Sequence, residues 1–147
     1  MPNNRFNPLA AGLLLAAVGM PALVTAQEAV TNLPADDLAW EKTEEGVAFA
    51  PLVGDRFVES YMAMVRLPAG LVSPPHVKSA NMFGVVLSGT ISHVAVEADP
   101  SDEILLPEGS FYKVPAGLAH VSRCVSETDC VSFLYQDGKF DFLPAAE

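Results

Sequence analysis

From Val47 onward the apolar residues come in short runs, and Gly, Pro, Ser or Asp closes each of them. The runs are Val47 to Leu52, Val58 to Leu67, Phe83 to Leu87, Thr90 to Val96, Ile104 to Leu106, Phe111 to Val114, Ala119 to Val125 and Val131 to Tyr135. Within Val58 to Leu67 the residues alternate, with Met62, Met64 and Arg66 on one face and Tyr61, Ala63, Val65 and Leu67 on the other. No helical period appears outside the N-terminal segment, and there is no internal repeat. Many short strands at regular spacing, divided by turn residues, predict an all-β sandwich or barrel. Twelve Pro and ten Gly in 147 residues fit that reading. The length suits one domain, and a 50% hydrophobic chain can bury a core, which argues against disorder.

The first 26 residues read differently. Arg5 is followed by an apolar stretch from Leu9 to Val18, then by Gly19, Pro21 and the small residues Val24-Thr25-Ala26. This is the layout of a secretory signal peptide, 1–26. The stretch falls short of the roughly 20 apolar residues that span a bilayer. The expectation is an exported protein, periplasmic or secreted, with no membrane attachment once the signal is removed. Residues 27–46 are acidic and form an N-terminal arm that packs through Leu38 and Trp40. With 8 basic against 18 acidic residues and a net charge of −10, the chain would repel a phosphate backbone, so a nucleic-acid partner is excluded. Cys124 and Cys130 are the only cysteines. In an oxidising compartment, across a tight turn, they favour a disulfide over two free thiols or a catalytic pair.

Two segments concentrate the chemistry. One runs from Gly70 through His76, Lys78 and Met82 to Gly89, and the other from Gly109 through Pro115, Gly117 and His120 to Cys124. This arrangement resembles the two motifs of the cupin superfamily, over about residues 58 to 136. The first motif runs from a Gly to His-x-His, then to a Glu and a closing Gly. The second runs from a Gly to Pro-x-Gly-x-x-His and ends on an Asn. The turn residues Gly70, Gly89, Gly109, Pro115 and Gly117 all match. His76 and His120 match two of the four metal-binding positions, whereas Lys78 replaces a histidine, Met82 replaces the carboxylate and Cys124 replaces the Asn. The wording around both segments is similar to that of small single-domain bacterial cupins of unassigned activity. The resemblance implies one jelly-roll barrel (a double-stranded β-helix) of about eight strands over residues 47–143, and self-association as a homodimer.

It also implies a degenerate metal site. Exchanging a carboxylate for an ammonium beside a divalent ion costs several kcal/mol, so the expected cofactor is none, or a weakly held Fe, Mn, Ni or Zn on His76 and His120. His93, on the strand after Gly89, is a further candidate donor. Without a metal, Lys78 and Arg66 would give the barrel interior a positive charge, and His76, His120, Met82 and Phe111 would complete a pocket for a small organic molecule, an anion among the candidates. The alternatives are a metal-dependent cupin oxygenase or isomerase in which His76 and His120 are catalytic, and a structural or partner-binding secreted module. No G-x-S-x-G, H-E-x-x-H or phosphate-cradling Gly-rich loop occurs.

Overall fold

The computed structural model describes residues 29–145. The chain divides into Met1–Asn32 and Leu33–Glu147, and the second unit holds every element described below. The expected signal peptide at 1–26 lies outside the described residues. Among the described residues no helix is long and apolar enough to cross a membrane.

The described residues form ten antiparallel strands: β1 (Glu41–Lys42), β2 (Ala48–Val53), β3 (Tyr61–Leu67), β4 (His76–Val77), β5 (Met82–Ser88), β6 (Ile91–Ala95), β7 (Phe111–Val114), β8 (His120–Cys124), β9 (Cys130–Gln136) and β10 (Leu143–Pro144). The larger sheet has the order β1-β2-β3-β9-β5-β7 and the smaller β10-β4-β8-β6. This is the expected all-β jelly roll, with the core between the sheets. β1 joins the N-terminal arm to the larger sheet by pairing with β2. Ile104 to Leu106 is not a strand. Leu106 makes a single bridge to Ile91, and Ile104 and Leu105 are exposed because Pro107 ends the extended segment after one pairing.

Strand parity decides which side chains face the core. In β9, Cys130, Ser132, Leu134 and Gln136 are buried between the sheets. In β3 the inward residues are Tyr61, Ala63 and Val65, and in β7 they are Tyr112 and Val114. The opposite face of the larger sheet is also mainly apolar, with Arg66 on β3 and Lys113 on β7 as its charged members. Met62, Met64, Phe133, Tyr135, Phe83, Val85 and Phe111 lie beside one another across β3, β9, β5 and β7. An antiparallel sheet with one solvated face ordinarily carries polar residues there.

Cys124 and Cys130 form the predicted disulfide. The bond closes the β8–β9 turn and ties the smaller sheet to the larger. Gly89 makes room for it: its φ is 79°, and a Cβ there would lie 2.9 Å from Cys130 Sγ. Both the backbone conformation and the space therefore require glycine.

Candidate functional site

Register, more than any loop, assembles the site. His76 on β4 and His120 on β8 are directly paired residues, so their side chains project together toward the core. Their ring centroids are 4.2 Å apart. His120 also pairs with Ala95 on β6, and His93 lies two residues along that strand. Its ring centroid is therefore 6.1 Å from that of His120. Three imidazoles gather in this way from three neighbouring strands of the smaller sheet.

Their hydrogen bonds set the tautomers of two of them. His76 Nδ1 lies 2.9 Å from the Pro74 carbonyl, and His120 Nδ1 lies 2.9 Å from the Leu118 carbonyl. A carbonyl only accepts, so both Nδ1 atoms donate and both Nε2 atoms carry a lone pair. Ser122 Oγ meets His93 Nδ1 at 2.9 Å. The Nε2 atoms of His93 and His120 are shielded from solvent and have no hydrogen-bond partner. Burial holds all three rings neutral: it pulls His76 down to about 4 and His93 to about 3, and lowers His120 as well.

The rings border a cavity of about 500 Å³. His76 and His93 line it, and His120 packs behind them. The larger sheet contributes Phe49, Tyr61, Val65, Met82, Tyr112, Ser132, Leu134 and Gln136. The chain after β9 adds Phe140 and Phe142 to the lining. Phe142 stacks on His76, with centroids 4.1 Å apart and planes 15° apart. Tyr112 fits because of Gly84, its partner across β5 and β7. A Cβ on Gly84 would lie 2.2 Å from Tyr112 Cζ. The Tyr112 hydroxyl is thereby carried to Ser132 Oγ at 3.3 Å, and burial pushes its pKa up to about 12.

The other predicted site residues divide. Lys78 and Met82 line the cavity and are buried. Lys78 Nζ donates to the Asp141 carbonyl and sits 4.0 Å from the Phe140 ring centroid. Desolvation lowers its pKa to about 8. Arg66 and Phe111 are corrections. Arg66 shares the parity of Met62 and Met64, so it leaves the barrel and lies 4.1 Å from the Trp40 ring centroid. Phe111 is one residue out of phase with Tyr112, faces outward and is 63% exposed. Neither touches the cavity. Tyr61, Tyr112, Ser132, Gln136, Phe140 and Phe142 were not anticipated. Parity with Cys130 would have pointed to Ser132 and Gln136, but no sequence signal marks the two phenylalanines.

A family model described as a domain of unknown function (DUF4437) matches residues 36–147. The chain belongs to that family. No curated protein matches it. Among solved structures, this DUF4437 chain is similar to the polyketide cyclase RemF from Streptomyces resistomycificus (TM-score 0.62, 14% identity, 81% of this chain and 87% of that one). It is also similar to KdgF from Halomonas sp. (TM-score 0.58, 17% identity, 73% and 94%). An RmlC-like cupin from Shewanella frigidimarina gives a TM-score of 0.57 at 16% identity, covering 80% and 95%. These likenesses establish the cupin fold for the DUF4437 domain.

Cupin folds imply a metal at the imidazole end, and the side chains present can be tested against one. The bare Nε2 atoms suit an ion. The rest of the set does not: Met82 offers no charge and Lys78 brings an ammonium. Among the described residues no three or more His, Cys, Asp or Glu are placed to share an ion. The residues do not fit the four-ligand cupin centre, and no chemistry is derived through a metal.

Proposed function

We propose that this protein is an exported cupin that binds a small organic molecule inside its barrel, at a metal position it has largely lost. The observation carrying this reading is the cavity of about 500 Å³, apolar over most of its wall, with uncharged imidazoles at one end. That combination suits capture of a ligand by apolar contact, with orientation set by a few polar atoms. Export is supported by the apolar stretch from Leu9 to Val18 and by the disulfide. Native mass spectrometry of protein purified without chelator, with elemental analysis of the same sample, tests the reading. The expected result is an organic adduct released on denaturation, with metal well below one per chain. One tightly held Fe, Mn, Ni or Zn per chain overturns it.

The second reading is an enzyme that uses His76 and His120 in proton transfer. It is supported by the contact of two neutral rings, one beside the cavity and one behind it, each with a bare Nε2. We also infer that the apolar outer face of the larger sheet meets a second copy of this chain. Met62, Met64, Phe133, Tyr135, Phe83, Val85 and Phe111 form one contiguous apolar patch there. In a chain of net charge −10, β3, β9, β5 and β7 place no acid on this face, whose charges are Arg66 and Lys113, so repulsion between acids is weakest there.

A further inference from the structure

The cavity reading leaves the ligand's chemistry open, and the imidazole cluster narrows it. We propose that the ligand is a flat aromatic or enolic molecule that presents a neutral hydroxyl group, as hydrogen-bond donor, to the imidazole cluster. This rests on the cavity being a binding site.

His76 and His120 have given their Nδ1 protons to backbone carbonyls. Of the two, His76 lines the cavity, so the lone pair on its Nε2 is the acceptor a ligand can meet. A buried acceptor without a donor is costly, and native proteins rarely tolerate it. The nearby protein hydroxyls are committed elsewhere. Ser122 Oγ is at His93 Nδ1, Tyr112 Oη is directed to Ser132 Oγ, and Ser73 Oγ lies 3.3 Å from His76 Nδ1, at the other nitrogen of that ring. The missing donor therefore has to come from what enters the cavity.

An anion supplies no donor. A carboxylate would set its own lone pairs against those of the rings, and burial opposes protonation of the imidazoles to accommodate it. The one cation lining the cavity among the described residues, Lys78, is tied to the Asp141 carbonyl beneath Phe140. A hydroxyl meets the acceptors without moving any proton. Ring faces line the same end: Phe142 stacked on His76, and Tyr112 against His93 with centroids 4.4 Å apart. Such walls favour a flat ligand.

Three probes of one shape separate the possibilities: naphthol, its methyl ether and naphthoate, each titrated near neutral pH against the purified protein by fluorescence. Naphthol is expected to bind roughly tenfold more tightly than the ether, the worth of one hydrogen bond, with naphthoate the weakest. His76→Phe should abolish the preference for naphthol over the ether. Should that variant fail to fold, the comparison on the unaltered protein decides alone. Equal affinity for naphthol and its ether overturns the donor inference and leaves the cavity reading standing. Naphthoate binding tightest, or naphthol binding only after a divalent metal is added, also overturns it. If none of the three binds, the cavity reading fails and the inference with it.

Discussion

A single methyl group at Gly84 would show how closely the cavity wall is drawn. Tyr112 lies flat across this glycine, and an added Cβ would fall within 2.2 Å of its ring. Gly84→Ala must push the ring toward the cavity or part the strands. The expected cost is about 1–3 kcal/mol, as for other overpacked cores, together with weaker ligand binding, read by denaturant titration and by the probes above. An unchanged midpoint would mean that the ring is not held as described. The histidines make a second test. His76 and His93 stay neutral in the fold down to about pH 4 and about pH 3, whereas in the unfolded chain they protonate near 6.5. Between those values the unfolded chain binds more protons, so stability rises with pH. The melting temperature is expected to climb by several degrees from about pH 4 to about pH 6.5, and His93→Phe should flatten part of that climb. A flat profile in the unaltered protein would show that the rings are not buried as neutral groups.

Among the elements, the segment after β9 contributes more than its two-residue strand suggests. β10 pairs with β4, Phe140 and Phe142 close the cavity wall, and Lys78 holds the segment through the Asp141 carbonyl. Lys78→Met keeps the stem and removes that bond. It is expected to cost about 1 kcal/mol and to speed proteolytic removal of residues 139–147, measured by mass spectrometry of timed digests. Equal digestion rates would mean that packing alone holds the segment. Strands such as Phe111 to Val114 were legible because alternation reports directly on a half-buried sheet. β4 and β10 were not, since two residues cannot display a period and His76 follows two prolines. The same limit explains the site. His76 and His120 came from motif spacing, but their pairing is a register between segments far apart in sequence. Phe111 and Tyr112 are both aromatic, and only the strand's phase decides which of them faces the cavity. Arg66 stood on a face already separated from Tyr61 and Val65, and its charge, not its phase, suggested a pocket.

For the whole molecule, a larger sheet that is mainly apolar on both sides predicts association. Sedimentation at micromolar concentration is expected to show a dimer, and Phe133→Lys, at the centre of the outer face, a monomer with an unaltered cavity. A monomeric unaltered chain would leave that face without a second copy. The disulfide belongs to the same scale because it joins the two sheets. Reduction is expected to lower stability by roughly 2 kcal/mol for so small a loop, read as a lower denaturant midpoint with reductant. No shift would mean that the sheets hold without it. Cys124 and His120 stand at opposite ends of β8, so the covalent tie and the imidazole cluster are a strand's length apart. The barrel is thus riveted at one end and merely latched at the other, by β4 and β10. Reduction should therefore loosen the Cys124 end of β8 before the end where His120 pairs with His76.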